Sequence, residues 1–262
     1  MKKLNVKPIC DGVYLLDELG GTNCYLVVGA GKALLIDCGT GFADLRGTVE
    51  DITSLPVEVI ATHGHVDHIG GAGAFESIYI HKDDTAFINR IQFTVPMRRI
   101  FTLGAGDAKR QGARAGDVKR GKYKTRFIPI DESFSLDLGG KEIRIKHTPG
   151  HTRGSIAVID ETDKIIFSGD NVCDALWLQL PGCLSVEEWL PSAQWLYEMS
   201  KSYDIYWGHR TPKLESGYIL QVINWGKEIL EKSGKNALIS KTAQYPDRPD
   251  GIIYRTGRVF KK

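Results

Sequence analysis

The run Thr62-His63-Gly64-His65-Val66-Asp67-His68-Ile69-Gly70-Gly71 crowds three imidazoles and a carboxylate into six positions, directly after an apolar strand ending at Ala61. A lone histidine is ordinarily structural, but gathering four such groups on one strand-to-helix loop is costly unless something neutralises and organises them. A divalent metal ion does that. Alternate residues of an extended segment point the same way, so His63 and His65 can share one ion. Asp67 and His68, adjacent and diverging as a helix opens, can serve a second. Three later turns add polar groups at strand ends: His151 in His147-Thr148-Pro149-Gly150-His151, Asp170 in Ser168-Gly169-Asp170, and His209 in Trp207-Gly208-His209. Each sits in a glycine-containing turn, where a rigid scaffold presents functional side chains. Five His and two Asp suffice for two ions with Asp170 bridging. Imidazole and carboxylate without thiolate suit zinc, and also iron or manganese.

These groups need strands that end together and helices that cover them. Gly12 to Leu19, Cys24 to Val28, Ala33 to Asp37 and Val57 to Thr62 read as strands. Phe42, Leu45, Val49 and Ile52 have helical spacing, which predicts a helix between the third and fourth strands. Ser77 to His81, Glu142 to Lys146, Ser155 to Asp160, Lys164 to Phe167 and Ile205 to Trp207 repeat the strand pattern, and helices are expected from Val186 to Met199 and from Leu214 to Lys232. The tail, with Ile252, Ile253, Tyr254 and Val259 around Thr256-Gly257, reads as a small hairpin. The expectation is a mixed α/β (α+β) chain with sheet in both halves, 1–262 forming a single domain.

Composition is that of a globular protein: 262 residues, 42% hydrophobic, 34 Lys plus Arg against 32 Asp plus Glu. Disorder and fibre are excluded. Met1 to Cys10 is charged and broken by Lys7 and Pro8, so no signal peptide is expected, and the apolar runs fall short of the roughly 20 residues that span a bilayer. The five cysteines (Cys10, Cys24, Cys38, Cys173, Cys183) are scattered and never in C-x-x-C spacing, which points to a reducing cytoplasm, with Cys24 and Cys38 as packing residues. One segment departs from the average. Lys82 to Arg126 holds 12 basic and 4 acidic residues, a net of +8, leaving about −6 for the rest. Its middle, Gly104 to Lys124, lacks apolar periodicity and reads as a long exposed loop, so about 82–126 is expected to be a basic insertion, either solvated or a lid that draws in an anionic small-molecule substrate.

The ordered set H-x-H-x-D-H, T-P-G-H, S-G-D and G-H, spread over Gly12 to His209, resembles the metallo-β-lactamase fold superfamily, and more narrowly its glyoxalase II-like metallohydrolases. The resemblance implies a four-layer αββα sandwich with the site at one edge of the two sheets. It implies that His63, His65 and His151 bind a first metal, that Asp67, His68 and His209 bind a second, and that Asp170 bridges. The chemistry would be hydrolysis of an ester, thioester, lactone or phosphodiester by a hydroxide shared between the metals, with Asp67 also orienting that nucleophile. Asp170 argues against the true β-lactamases, most of which lack this carboxylate. Two alternatives share the ligands: a persulfide dioxygenase with one iron on the positions of His63, His151 and Asp170, and an RNA-processing nuclease, for which the basic segment is small. Nucleic acid is accordingly an unfavoured partner, no membrane is expected, and the tail could contact a second copy in a homodimer. Trp207 and Arg210 depart from the family's usual Pro-Gly-His-Gly, and Arg153 stands where proline is frequent. His147 is expected to pack or to support a ligand, and His81 to end a strand without catalytic work.

Overall fold

The computed structural model describes residues 2–19, 21–91, 124–210, 213–233 and 240–261. Its larger sheet has seven strands in sequence order: β1 (Asn5–Cys10), β2 (Val13–Asp17), β3 (Asn23–Val28), β4 (Ala33–Ile36), β5 (Val57–Ile60), β6 (Ser77–His81) and β7 (Arg126–Ile130). The first four pair antiparallel through short turns, whereas β4 to β7 run parallel and need crossovers. Helices α1 (Leu45–Ile52), α2 (Val66–Ile69) and α3 (Lys82–Ile91) lie on the connections between these strands. The second sheet runs β13 (Lys213–Leu214), β12 (Asp204–Tyr206), β11 (Ile165–Phe167), β10 (Ile156–Asp160), β9 (Glu142–His147), β8 (Ser135–Asp137). It is covered by α4 (Val186–Met199) and α5 (Ser216–Lys232).

Both faces of the central strands are buried, so their sequences are nearly continuous apolar runs with the two faces used differently. Leu15, Tyr25, Val27, Leu34 and Ile36 of the first sheet meet Ile143, Ile145, Ile156, Val158 and Phe167 of the second. The alternate residues Leu16, Leu26 and Leu35 turn outward onto Leu45, Val49, Ile69 and Ile88 of the first three helices. Ala157, Ile159, Ile166 and Ile205 turn the other way, onto Trp189, Ala193 and Leu196 of α4 and Ile219, Val222 and Ile223 of α5. Helix, sheet, sheet, helix is the four-layer arrangement expected.

Several boundaries differ from the sequence reading for local reasons. α1 begins at Leu45, not Phe42, because the Asp44 carboxylate accepts the Gly47 N–H and caps the helix there. Phe42 joins the apolar layer from the preceding loop. β1, β7 and β8 escaped the sequence reading: they are edge-side strands with much exposed surface and weak alternation. The hairpin expected about Thr256-Gly257 does not form: Ile252–Arg255 (β15) pairs instead with the preceding β14 (Thr242–Tyr245), and Thr256–Arg258 is a 3-10 turn after it. In the basic segment Lys82 opens α3 and Arg126 opens β7, while residues 92–123, which include most of the expected lid, lie outside the described residues. All five cysteines are free, and Cys24 and Cys38 are buried packing groups as expected.

Glu18 is a buried carboxyl outside the site. Glu18 accepts backbone N–H groups from Thr40, at 2.6 Å, and from Gly41 and Phe42, at 3.0 and 3.3 Å, fixing the loop that follows β4. Burial raises its pKa to about 7, against hydrogen bonds from Thr40, Gly41 and Ala43, which pull it down. Between pH 4.5 and 7 the folded state therefore binds more protons than the unfolded one, so stability falls as pH rises through that window. The size is roughly 3 kcal/mol at full deprotonation. Glu18→Gln is expected to flatten that part of the melting temperature against pH curve in thermal scans, and an unchanged slope would show that the carboxyl titrates elsewhere.

Candidate metal centre

All seven expected residues come together at one edge of the two sheets. His63 and His65 follow the C-terminal end of β5, Asp67 and His68 ride on α2, and His151 lies in the turn between β9 and β10. Asp170 follows β11 and His209 follows β12. Hydrogen bonds tie the sheets at this edge: Ile156 N donates to the Thr62 carbonyl at 2.9 Å, and Asn23 N to the Gly208 carbonyl at 2.7 Å. The glycine before His209 is a packing requirement. A Cβ on Gly208 would lie 2.3 Å from Asp170 Oδ1 and 2.6 Å from His68 Cε1.

The groups fall into two sets, each with ligand atoms within 4.8 Å of one another: His63, His65 and His151; and Asp67, His68, Asp170 and His209. In the first set the ring centroids are 4.5 to 4.9 Å apart. His151 Nδ1 lies 2.9 Å from the Trp177 carbonyl, which fixes the proton there and leaves Nε2 a lone pair facing His65 Nδ1 at 2.7 Å. His63 Nδ1 meets Thr62 Oγ1 at 3.1 Å, while its buried Nε2 has no hydrogen-bond partner. Burial, reinforced by the neighbouring imidazoles, lowers the pKa of His63 far below the usual histidine value. Burial likewise lowers His65, against the pull of Asp67. His151 falls to about 3 through burial and then His65. Three neutral imidazoles with ring nitrogens within 4.8 Å of one another, two of them sharing one proton at 2.7 Å and the third orphaned, are what a cation completes by displacing that proton, so the set fits a metal ion.

The second set carries the carboxylates. His68 Nδ1 donates to Asp37 Oδ2 at 2.8 Å, leaving its buried Nε2 toward Asp170 Oδ1 at 3.4 Å and Asp67 Oδ2 at 3.9 Å. His209 Nδ1 donates to the Gly21 carbonyl at 2.9 Å, and its Nε2 faces Asp170 Oδ2 at 3.1 Å and Asp67 Oδ2 at 3.5 Å. Burial alone would depress both imidazole pKa values. The carboxylates outweigh it, raising His68 well above its normal value and His209 to about 9. The same pairing holds Asp170 far below the usual carboxylate range despite its burial. Asp170 Oδ2 also lies 3.8 Å from His151 Nε2, so this one side chain faces both sets.

Asp37, which the sequence reads only as a strand end, contacts the site directly. Its backbone is left-handed (φ 63°), and its carboxylate takes Thr62 N at 2.7 Å, the Thr62 hydroxyl and His68 Nδ1. The available signal was an acidic residue ending the apolar run Ala33-Leu34-Leu35-Ile36. His147 donates Nε2–H to the Arg153 carbonyl at 2.9 Å in the His151 turn, and its ring stacks on buried His81 at 4.0 Å. Arg210 is exposed, adopts φ 37°, and lies 3.5 Å from Asp174. Together with Asp83, His81 and His147 form a third His/Asp group, but parallel rings send their lone pairs side by side instead of to one point.

Two layered sheets with a His/Asp centre at their shared edge define a metallohydrolase architecture. Residues 17–196 match the metallo-beta-lactamase superfamily model, and the chain belongs to that superfamily. Among relatives, the acyl-coenzyme A thioesterase MBLAC2 of Gallus gallus is 28% identical over 207 residues, 74% of either chain. The human protein of that name is 27% identical over 71% of this chain and 69% of its own. An uncharacterized Mycobacterium tuberculosis protein is 32% identical over 57% of this chain and 67% of its own. In structure the chain is similar to a metallo-beta-lactamase family protein of Thermus thermophilus, with TM-score 0.63, 22% identity, and coverage of 86% of this chain and 82% of that one. The DIM-1 metallo-beta-lactamase gives TM-score 0.61 at 18% identity, over 86% of this chain and 98% of the other. Among the described residues no helix is long and apolar enough to cross a membrane.

Proposed function

We propose that this chain is a dinuclear metal-dependent hydrolase of thioesters, with an acyl-coenzyme A or a similar anionic thioester as substrate. The observation carrying the hydrolase reading is Asp170, whose two oxygens face His68 on one side and His209 and His151 on the other. The thioester choice leans on the acyl-coenzyme A thioesterases among the relatives.

In this reading His63, His65 and His151 would hold one ion and Asp67, His68 and His209 the other, with Asp170 available to both. Bound divalent ions, zinc by the donor set, supply a water acidified toward neutrality and a Lewis acid for the acyl oxygen. The protein's own residues do the positioning. Asp37 fixes the His68 tautomer, the Trp177 carbonyl fixes that of His151, and the Gly21 carbonyl fixes that of His209. Asp67 would orient the water; hydrolysis adds the water oxygen to the acyl carbon and breaks the carbon–sulfur bond, with one water proton passing to the departing thiolate and the other released to solvent. The products are a carboxylate and a thiol.

Elemental analysis with a panel of thioester, lactone and phosphodiester substrates tests the proposal. The expected result is close to two transition-metal ions per chain and turnover of acyl-coenzyme A without oxygen consumption. Active protein free of metal, or a persulfide turned over with oxygen uptake on iron alone, would replace this reading with another. A further expected outcome concerns the basic segment: neutralising Arg114, Lys119 and Arg120 together raises KM for the anionic thioester, flattens its salt dependence, and leaves metal content unchanged. Steady-state kinetics across ionic strength measure this.

A further inference from the structure

The two histidine loops of the first set are joined by a carboxylate outside both. Asp84, in the first turn of α3, is buried, and its Oδ2 accepts Gly64 N at 2.8 Å and the Thr152 hydroxyl at 2.7 Å. Its Oδ1 accepts Gly154 N at 2.7 Å. Gly64 lies between His63 and His65, while Thr152 and Gly154 follow His151. Thus one side chain bonds the peptide between two of the histidines and the turn that presents the third. The approach is close enough to dictate sequence. A Cβ on Gly154 would stand 2.6 Å from Asp84 N and 2.7 Å from Asp84 Cγ. The Thr152 hydroxyl is also in contact with Ser155 Oγ at 2.9 Å, and Ser155 Oγ accepts Thr152 N, so the turn is closed on itself as well as on Asp84.

The second set has a different brace. Asp37 holds His68 directly and reaches the first set only through Thr62, whose hydroxyl meets His63, and the Gly21 carbonyl holds His209. None of the bonds to the Asp84 carboxylate described above reaches Asp67, His68, Asp170 or His209.

We propose that Asp84 is a positioning residue for the first metal set, registering the His63-Gly64-His65 loop against the His151 turn, and that it leaves the second set untouched. This rests on the metal reading of the site. A metal needs its three nitrogens at fixed mutual distances, and two loops from different sheets need a direct tie to keep those distances when the ion is absent. Asp84→Asn keeps the shape but replaces one accepting oxygen by an amide N–H group directed at N–H or hydroxyl donors, so the loops are expected to part slightly. Supports of this kind change metal affinity by about 10- to 100-fold.

The test separates the two sets with full-length chains titrated with cobalt(II), read by its visible absorption and by competition with a chelator. His209→Ala weakens the second set and leaves the first intact; His151→Ala does the reverse. Asp84→Asn is expected to weaken cobalt binding at least about 10-fold in the His209→Ala background, and by less than twofold in the His151→Ala background. Thr152→Val, which removes only one donor, is expected to give a smaller loss with the same selectivity. Thermal scans of the metal-free chains accompany the titration and identify loss of fold, in which case Thr152→Val carries the comparison. Equal losses in both backgrounds, no loss in either, or loss confined to the His151→Ala background would overturn the assignment of Asp84. Failure of cobalt to bind the His209→Ala chain with Asp84 intact would overturn the metal reading itself, and this inference with it.

Discussion

Asp170→Ala is expected to lower kcat/KM for a thioester by roughly three orders of magnitude, about 4 kcal/mol of transition-state stabilisation, and to reduce metal content from two ions toward one. The side chain faces both sets: Oδ1 lies 3.4 Å from His68 Nε2, and Oδ2 lies 3.1 Å from His209 Nε2 and 3.8 Å from His151 Nε2. Its charge also balances two imidazoles whose pKa values lie above the ordinary histidine range against their burial. Alanine removes the bridge and that charge together. Asp170→Asn separates the two effects, since it retains size and one accepting oxygen but carries no charge. A metal stoichiometry unchanged in both variants, with kcat/KM within tenfold of the parent, would mean that the two sets act independently and that Asp170 is not their link. Elemental analysis of the purified variants beside initial-rate kinetics gives both readings.

The site was readable in sequence because metal-binding chemistry compresses into short motifs. His63 to His68 share one run of six residues, and His151, Asp170 and His209 each stand after an apolar strand beside glycine. What escaped was the layer that holds these residues. Asp37 and Asp84 are single acidic residues with no spacing pattern, and their roles depend on loops that approach only after the sheets pack: Asp84 meets Thr152 and Gly154 across some seventy positions of chain. The same distinction runs through the fold. Strands buried on both faces, such as Ala33–Ile36 and Ile156–Asp160, announce themselves as apolar runs. Asn5–Cys10 and Ser135–Asp137 leave much of their surface in water, so ladder hydrogen bonds to a neighbour define them and hydropathy does not. The helix Val186–Met199 matches the approximate expectation, and the structure shows why it starts there: Ser185 and Glu188 form a capping box.

That helix links stability to the metal centre, and Trp189 is where the link is strongest. The residue is fully buried, and its indole Nε1–H donates to the Asn171 carbonyl at 2.7 Å. Asn171 directly follows Asp170, and its amide in turn donates to the Thr148 carbonyl at 2.9 Å, in the segment leading to His151. The ring is wedged between two glycines: a Cβ on Gly150 would lie 2.5 Å from Trp189 Cδ1, and one on Gly226 of α5 would lie 2.6 Å from Cζ3. One side chain therefore fills the space between two helices and the ligand loops of both metal sets. Trp189→Ala is expected to cost about 3 to 5 kcal/mol from lost burial and the cavity left behind. The orphaned Asn171 carbonyl adds about 1 kcal/mol. At this chain length the loss corresponds to a fall in melting temperature of roughly 10 °C or more. Trp189→Phe keeps most of the volume and loses the N–H, so it is expected to fall between the two, with the hydrogen bond as the larger part of its deficit. Because the cavity opens beneath Gly150 and Asn171, the alanine variant that remains folded should also release metal faster to a chelator than the parent does. A melting temperature within about 3 °C of the parent, with unchanged metal release, would show that the loops hold their positions without the indole beneath them.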